Sequence, residues 1–482
     1  MSHGSPLKIT VENLGPIVTG DVELKPLTIL VGRNNSGKTY FAQLLYSIFK
    51  SFRDRVLLSP YKVVDGSQQL PNRALYGYLG RVIQTSSDVV LSDIPEGLRT
   101  SLMDNYRSIA NNLESAMDVA LHDYFGVSNL GDIIRNNPKR RPLSVRINNT
   151  MLSLSVKPGE SPAYDFSPTL PTRVFVSRDD LDSLKMAGLE STITDWANFL
   201  ATKMWLAMLE ENNLPMKTIS YIPAYRSGLL QSWDMIFRFS LRLFTLDWLR
   251  SNFPQLTTRP TGVLFDFLDE IFTAGTAPPG VANEAMQPAI DLLEREILEG
   301  NAFVGDITKG ESLVNYQQGK QSYPLSLSSS MFAELASLDI LLRRKIRPGD
   351  FVIIDEPEAH LHPENQRLIA RVVVRLVRTG VRVVCPTHSS LFLHQVSNHL
   401  LASSASSEVW SALGFTDSDL ISQEDVGVYL FSRSRGGTQI HPVPIEPGFG
   451  ILEDEFLRVV EEIGAESFTL SDAALSSHSV RS

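Results

Sequence analysis

The fold is decided by the stretch Gly32-Arg33-Asn34-Asn35-Ser36-Gly37-Lys38-Thr39. The apolar run Leu27 to Val31 comes directly before it and predicts a short buried strand. The segment Tyr40 to Phe49 follows it, with apolar residues at helical spacing. Strand, glycine-rich turn and helix, in this order, are the context that the phosphate-loop pattern G-x-x-x-x-G-K-[ST] requires. The sequence therefore predicts an α/β fold organised around this turn.

The phosphate loop offers chemical groups that suit ATP and Mg²⁺. Its glycines let backbone N–H groups turn towards phosphate oxygens. Lys38 is placed to neutralise the β- and γ-phosphates, and the Thr39 hydroxyl is placed to ligate magnesium. We therefore predict a nucleotide site formed by the whole loop together with Tyr40, which follows it directly.

A pair of carboxylates supplies the second element of the site. The apolar run Phe351 to Ile354 predicts a buried strand, and Asp355 and Glu356 stand at its end. Taken alone, such a pair is a common strand end. Beside a phosphate loop, we interpret Asp355 as the residue that holds magnesium and Glu356 as the general base that polarises the attacking water.

A histidine follows the next predicted strand. The run Val381 to Cys385 leads into Pro386, Thr387 and His388, with one predicted helix between Glu356 and this strand. A lone histidine is usually a surface or core residue. In this position, we predict that His388 reaches the γ-phosphate and responds to its loss.

Three serines open the helix that precedes the carboxylate strand. Ser328, Ser329 and Ser330 stand at the start of a predicted helix that runs to Arg344. Serine hydroxyls and unpaired N–H groups at a helix start form an anion site, although serines there also serve as ordinary helix caps. Their position before the carboxylate strand favours the anion site.

These elements, in this order, resemble the ABC-type ATPase head of the structural-maintenance-of-chromosomes (SMC) proteins, RecF and the overcoming-lysogenization-defect (OLD) family. The stretch from Asp355 to Pro363 looks most like the OLD-like, anti-phage branch, which includes the ATPase subunits of the PARIS (AriA) and Septu (PtuA) systems. The resemblance covers residues 7 to 50 and 320 to 445. It implies that the serine segment completes the site of a partner head, so that two heads act together.

Two parts of the sequence depart from the general ABC pattern. Serines stand where the usual signature has glycines, and no obvious glutamine loop is present. Instead, Tyr221-Ile222-Pro223-Ala224-Tyr225-Arg226 resembles a Pro-Ala-x-Arg variant of the branch. The resemblance implies that Arg226 faces phosphate, with Gln231 as a weaker magnesium candidate. His360 and His362 fall in the loop that crosses to the partner head, and zinc is the poorer explanation for them.

The predicted architecture is an α/β, ABC-type P-loop ATPase head with a large, mainly helical insertion. We predict a first lobe over residues 1–50, an insertion over 51–216, a strand with a glutamine-loop-like segment over 217–232, a second helical insertion over 233–300, a second lobe over 301–466 and a disordered tail over 467–482.

Composition limits the classes of function. The net charge of −10 argues against a general nucleic-acid coat, although DNA stays open as a partner. The single cysteine, Cys385, excludes an internal disulfide framework. Because no leader-like N-terminus or long apolar stretch is present, we expect a cytoplasmic protein without a membrane partner.

The missing nuclease motif shapes the functional hypothesis. OLD-family members append a TOPRIM nuclease, but here Asp417-Ser418-Asp419 follows no acidic strand and predicts only a helix start or loop. We therefore expect an ATPase without nuclease activity, acting as sensor or scaffold of an anti-phage system. Its partners would be a second copy, a separate nuclease or toxin effector, and a phage-derived trigger. The alternatives are a RecF- or SMC-like DNA-repair ATPase and a transporter's nucleotide subunit.

Overall fold

The computed structural model describes most of the chain, with gaps. The described residues are 6–52, 88–90, 93–94, 96–135, 141–148, 151–167, 171, 173–177, 193–215, 217–233, 262–276, 283–306, 311–452 and 462–471. Parts of the predicted insertions, within 51–216 and 233–300, lie outside these ranges.

Strands occur throughout the described ranges. They are β1 Leu7–Leu14, β2 Ile17–Leu24, β3 Leu27–Val31, β4 Asp88–Val90, β5 Leu143–Ile147, β6 Leu152–Val156, β7 Ala163–Phe166, β8 Arg173–Phe175, β9 Ile219–Ile222, β10 Asn301–Val304, β11 Val314–Gln318, β12 Gln321–Pro324, β13 Phe351–Ile354, β14 Arg382–Pro386, β15 Val426–Ser434, β16 Gly437–Pro442, β17 Ile445–Glu446 and β18 Gly450–Ile451.

Helices alternate with these strands. They are α1 Lys38–Lys50, α2 Glu96–Phe125, α3 Ile193–Glu211, α4 Val263–Thr276, α5 Gln287–Leu292, α6 Ser330–Arg344, α7 Pro363–Arg378, α8 Ser390–Ser404 and α9 Ser407–Ala412. Helix α5 continues as a π-helical segment, Leu293–Leu298. Residues 462–471 are also helical. Residues 467–471, which belong to the predicted tail, form the last part of this helix.

An 11-stranded sheet forms the centre of the described structure, in the order β7-β6-β5-β1-β2-β16-β15-β3-β14-β13-β9. Strands β15, β3, β14, β13 and β9 are parallel neighbours. The pairs β1-β2, β1-β5, β5-β6 and β6-β7 are antiparallel. The predicted α/β class is confirmed, and strands β5 to β7 show that part of the predicted insertion extends the main sheet.

The parallel strands bring the predicted site together. Each parallel strand has its carboxyl end at the same edge of the sheet, and ligand sites of α/β folds lie at that edge. The phosphate loop follows β3, Asp355 follows β13, and His388 follows β14 by one residue. Because β14 lies between β3 and β13, these three segments are adjacent.

Two apolar cores cover the two faces of the sheet. Strand β13 is buried on both faces, and successive side chains point to opposite sides. Phe351 and Ile353 belong to the core that contains α1 and α3, whereas Val352 and Ile354 belong to the core that contains α6 and α7. Burial on both faces explains why this strand reads as a continuous apolar run. It also gives the carboxylates at its end a rigid support.

Candidate functional site

Backbone geometry explains the two glycines of the phosphate loop. Gly32 has φ 139° and Gly37 has φ 100°, a region that L side chains rarely adopt. A Cβ on Gly32 would lie 2.7 Å from the Phe431 carbonyl oxygen, and one on Gly37 would lie 2.8 Å from Ile17 Cγ1. The loop therefore packs too closely against β15 and β2 for any larger residue. Gly37 is also the N-cap of α1, so the helix N-terminus opens onto the loop.

Lys38 lies inside the phosphate loop. Its side chain is 4% exposed, and Nζ donates to the carbonyl oxygens of Gly32 at 2.7 Å and Arg33 at 3.1 Å. A third contact, at 3.3 Å, joins Nζ to Nδ1 of His388. The ammonium group is thus held at the helix N-terminus, where anions bind.

Asp355 is a buried carboxylate whose two oxygens have different surroundings. It is 2% exposed, and Oδ2 accepts a hydrogen bond from the Tyr221 hydroxyl at 3.0 Å. Oδ1 has no hydrogen-bond partner within the described residues. Burial raises the pKa of Asp355 to about 6, and the hydroxyls of Tyr221 and nearby Thr39 partly offset this rise. A cation would relieve the cost of burying this charge.

Glu356 and His388 form a hydrogen-bonded pair. Oε1 of Glu356 lies 3.2 Å from Nε2 of His388. This hydrogen bond lowers the pKa of Glu356, with smaller contributions from the positive charges of Lys38 and Arg226. Glu356 is therefore ionised at neutral pH and can accept a hydrogen bond from water.

Two contacts of the His388 ring indicate its tautomer. A lysine ammonium group has only donors, so Nδ1 of His388 accepts from Lys38. In the tautomer that fits this contact, the ring proton is on Nε2, which donates to Glu356. His388 thereby connects the lysine that would bind the γ-phosphate to the carboxylate that would orient water.

The serine segment stands at an exposed helix start. Ser329 is the N-cap of α6, and its hydroxyl accepts from the Phe332 N–H at 3.2 Å. Ser328 is half-buried, whereas Ser329 and Ser330 are exposed. Leu327, next to them, is 76% exposed. Ser329 thus caps α6 within this chain, and the exposed surface of Ser329 and Ser330 is accessible to another molecule.

Arg226 lies at the end of the segment that follows β9 and is 1% exposed. Its guanidinium group has five N–H bonds. The five hydrogen bonds go to the carbonyl oxygens of Glu334, Pro223, Asp355, Glu356 and Pro357. No N–H group is left for a phosphate oxygen in this arrangement, so Arg226 supports the carboxylate turn from behind.

The turn that Arg226 supports has an unusual backbone. Glu356 has φ 48°, in the left-handed region, which costs a non-glycine residue about 1 kcal/mol. Its carbonyl oxygen accepts from Arg226 at 3.2 Å, and its N–H group donates to the Pro386 carbonyl oxygen at 2.9 Å. These contacts hold the side chain of Glu356 towards His388 rather than along the strand direction.

A cavity of about 680 Å³ lies in front of these groups. Its lining comprises Pro16, Asn34, Asn35, Ser36, Gly37, Lys38, Thr39, Tyr40, Gln43, Glu356 and His388. This volume falls within the range of small-ligand sites. The phosphate loop, the general-base candidate and the histidine thus share one cavity.

The polar groups at the cavity fit a magnesium nucleotide. Mg²⁺ prefers oxygen ligands and is commonly held by a carboxylate, a hydroxyl and phosphate oxygens. Asp355 Oδ1 and Ser36 Oγ are buried and have no hydrogen-bond partner within the described residues. Asp355 and Thr39 would hold the ion, and the ion would neutralise phosphate charge.

Other predicted residues lie elsewhere. Gln231 is exposed and is not part of the cavity lining. His362 is the N-cap of α7, and His360 Nδ1 lies 2.8 Å from Glu334 Oε1. Among the described residues, no group of three His, Cys, Asp or Glu side chains is arranged to hold a metal ion. No described helix combines the length and hydropathy needed to cross a membrane.

Some site residues were not singled out from the sequence. Tyr221, which bonds to Asp355, and Gln43, which lines the cavity, carry no motif signal. Glu358 lies within the recognised stretch after β13, but only the fold shows that it accepts three hydrogen bonds from residues 387–389. Spacing along one segment cannot reveal contacts between two separate segments.

Comparison with protein families found one match in the second lobe. Residues 312–394 match the family described as "AAA domain, putative AbiEii toxin, Type IV TA system". This range includes the serine segment, the carboxylate pair and His388. No curated protein sequence matches the chain.

Solved structures that match the chain include heads of SMC proteins. The SMC head domain from Thermotoga maritima matches with 12% identity and a TM-score of 0.36, covering 91% of this chain and 98% of that one. An SmcHead bound to the C-winged helix domain of ScpA matches with 11% identity and a TM-score of 0.39, again covering 91% and 98%.

A third match is the Smc head domain with an extended coiled coil, bound to the C-terminal domain of ScpA derived from Pyrococcus furiosus. It has 13% identity and a TM-score of 0.37, and the match covers 95% of this chain and 98% of that one. Residues 312–394 thus resemble an AAA-type ATPase domain. In the structure, this range contributes strands to the α/β sheet that has the phosphate loop at its carboxyl edge.

Proposed function

We propose that this chain binds ATP with Mg²⁺ and hydrolyses it. The observation that carries this proposal is a chain of two contacts through the His388 ring. Lys38 Nζ lies 3.3 Å from Nδ1 of His388, and Nε2 of His388 lies 3.2 Å from Glu356 Oε1. A simple phosphate-binding site needs the lysine but has no use for the carboxylate. A site that cleaves the γ-phosphate needs both.

Each group has a separate task in the proposed reaction. The phosphate loop and Lys38 bind the β- and γ-phosphates. Thr39 and Asp355 would hold Mg²⁺, which would supply positive charge against the charge that develops on the phosphate oxygens. Ionised Glu356 orients the attacking water and accepts its proton. His388 holds Glu356 through Nε2. Once Nδ1 has taken up a proton from solvent, it can exchange its contact with Lys38 for a hydrogen bond to the γ-phosphate, so the position of the ring depends on whether that phosphate is present.

The proposed active unit is a head-to-head pair of chains. Ser329 and Ser330 are exposed at the start of α6. They therefore suit an anion carried by another molecule, and the resemblance to ABC-type heads favours the γ-phosphate on a second copy as that anion. Leu327, exposed beside them, would be covered by the same contact.

Within the cell, we infer a sensor or scaffold role in anti-phage defence. The support is the Asp355 to Pro363 stretch, which resembles the OLD-like, PARIS and Septu ATPases, together with a matched family whose description names a putative toxin of a type IV toxin–antitoxin system. A separate nuclease or toxin would be the effector, released or activated when a phage component changes the nucleotide state.

Two measurements test the proposed ATP hydrolysis and the proposed defence role separately. Purified chain should release phosphate from ATP in a magnesium-dependent manner, and an inactive preparation that binds ATP normally would refute hydrolysis. Cells carrying the gene with its native neighbours should resist phage, whereas cells carrying Glu356→Gln should not. Equal protection by both would separate the defence role from turnover. DNA binding that rises with ATP and falls with salt would instead favour the RecF- or SMC-like alternative.

The chain alone should not cut nucleic acid. Metal-dependent cleavage needs several carboxylates converging on metal from a rigid framework, and Asp419, the nearest match to a nuclease motif, is buried against Arg371 and Arg375. We expect no cleavage of plasmid or single-stranded DNA or of RNA with Mg²⁺ or Mn²⁺. A double variant, Glu453→Ala with Asp454→Ala, is the control, and cutting by the wild type that disappears in this variant would restore an intrinsic nuclease.

A further inference from the structure

Glu358 is a buried carboxylate behind the proposed site. It lies two residues after Glu356, is 6% exposed and does not line the cavity. Its Oε1 accepts hydrogen bonds from the Thr387 hydroxyl at 2.6 Å, the His388 N–H at 2.8 Å and the Ser389 N–H at 3.0 Å. One carboxylate oxygen therefore binds three consecutive residues centred on the histidine.

We propose that Glu358 is a positioning residue for His388, and that it sets the distance of the imidazole ring from Glu356 and Lys38. This inference rests on the proposed ATPase activity. Glu358 does not line the cavity, and its bonds are to backbone N–H groups and the Thr387 hydroxyl, so it acts through the loop that carries the His388 ring.

The contacts of the loop show why a carboxylate oxygen suits this position. Strand β14 ends at Pro386, and the chain must turn before α8 begins at Ser390. Two successive N–H groups, of His388 and Ser389, point the same way in this turn, and a charged acceptor binds them more strongly than a neutral one. After β14 ends, the N–H groups of His388 and Ser389 no longer face a neighbouring strand, and the Glu358 carboxylate accepts their hydrogen bonds instead.

The same short segment controls both members of the catalytic pair. Glu356 bonds to the His388 ring, while Glu358 bonds to the His388 backbone. Because both residues belong to the turn after β13, a displacement of this turn moves the base and the histidine together. Glu358 thus keeps their 3.2 Å contact when the turn shifts.

A double-mutant cycle tests the proposal. Glu358→Ala should lower kcat at least tenfold and leave the Kd for ATP within about threefold, since the phosphate loop is untouched. His388→Ala alone should lower kcat by a similar or larger factor. Combined with His388→Ala, the Glu358→Ala change should cause less than a twofold further loss, because its effect operates through a side chain that is already absent.

Hydrogen exchange and a conservative variant exclude a general folding effect. The His388 and Ser389 amides should exchange faster in Glu358→Ala, while the amides of β3 stay protected. Glu358→Gln keeps one acceptor oxygen and should recover part of kcat. Gln366→Ala is the matched control, because Gln366 accepts from the Ser389 hydroxyl at 2.6 Å but does not touch His388, and it should leave kcat within about twofold.

The outcomes are distinct for each hypothesis. If wild-type protein releases no phosphate, the proposed function fails. Hydrogen exchange at the His388 amide, compared between wild type and Glu358→Ala, then decides on its own whether Glu358 holds the loop. If wild-type protein is active and Glu358→Ala keeps full kcat, or lowers kcat equally with and without His388, the positioning role is refuted. Should Glu358→Ala not fold, Thr387→Val and Glu358→Gln replace it in the same cycle, with the same criterion of non-additivity.

Discussion

The phosphate loop and the serine segment both stand at the start of a helix, but they differ in how many anion-binding groups they supply. The loop before α1 has Lys38 buried against its own carbonyl oxygens, and its glycines pack against β2 and β15. The segment before α6 has no charged group among its serines, and Ser329 and Ser330 are exposed. Both offer N–H groups to an anion, but only the first supplies positive charge and a cavity.

This difference indicates which interactions belong to one chain and which need two. The phosphate loop, with its lysine and cavity, can bind phosphate without a second chain. An exposed serine cap gains only weak anion affinity from its helix dipole. Changes at the phosphate loop should therefore abolish function in any chain that carries them. Changes at the serine segment should affect only the site of a partner.

The largest effects are expected at Lys38 and Glu356, and they should differ in kind. Lys38→Ala removes the buried charge and should abolish detectable ATP binding. Glu356→Gln keeps the shape and should bind ATP normally while kcat falls by about 10²-fold or more, because the base that orients water is lost. Equilibrium binding with a fluorescent ATP analogue and steady-state phosphate release separate the two. Thr39→Ser, which retains the hydroxyl, is the control.

The next largest effect concerns the serine segment. Ser329→Arg should be inactive alone, yet an equal mixture with inactive Lys38→Ala should recover activity. Random pairing of two-fold dimers gives about a quarter of the sites both an intact loop and an intact partner serine. Activity measured against mixing ratio tests this. Mixed oligomers that stay inactive, shown by differently tagged chains, would contradict an active site shared between chains.

The sequence predicts the parts of the site that depend on local pattern. Strand β13, the helix starting at Pro363 and the phosphate loop all follow from apolar spacing and turn residues that lie close together in the chain. Because β3, β14 and β13 are parallel, their carboxyl ends must lie at one edge, so the meeting of Lys38, Asp355 and His388 could also be anticipated.

The remaining contacts depend on packing between distant segments. The resemblance implied a phosphate contact for Arg226, but nothing local indicated that its donors would bond to residues near 334 and 356. Tyr221 reaches Asp355 only because β9 pairs with β13 in parallel register. Strands β5 to β7 join β1 through pairs such as Ile9 with Ile147, which no short-range pattern specifies.

An intermediate effect is expected at Arg226. Arg226→Lys keeps a charge but has three donors instead of five, so several carbonyl oxygens of the turn lose their partner. We expect kcat to fall about tenfold, with ATP affinity nearly unchanged and the melting temperature lowered by several degrees. Arg347→Lys, at a partly buried arginine outside the site, is the control. If ATP affinity falls more than kcat does, Arg226 contacts the nucleotide directly.

The smallest effect is a shift of the pH profile through Tyr221. Asp355 has a pKa of about 6, so the carboxylate that would hold Mg²⁺ becomes neutral as the pH falls through this value. The Tyr221 hydroxyl donates to Oδ2 at 3.0 Å and favours the ionised form. In Tyr221→Phe this contribution is lost, the pKa rises further, and the acid limb of magnesium-dependent turnover should move to higher pH by less than about one unit.

The shift is measured best at low Mg²⁺, because bound metal itself favours the ionised carboxylate and masks a change in pKa. At pH 8 the two proteins should have similar kcat, since Asp355 is ionised in both. Tyr124→Phe, which removes a hydroxyl bonded to Asp266 at 2.8 Å, is the control and should leave the profile in place. An unchanged or acid-shifted limb in Tyr221→Phe would mean that Asp355 does not set the metal requirement, and that the acid limb belongs to Glu356 or His388.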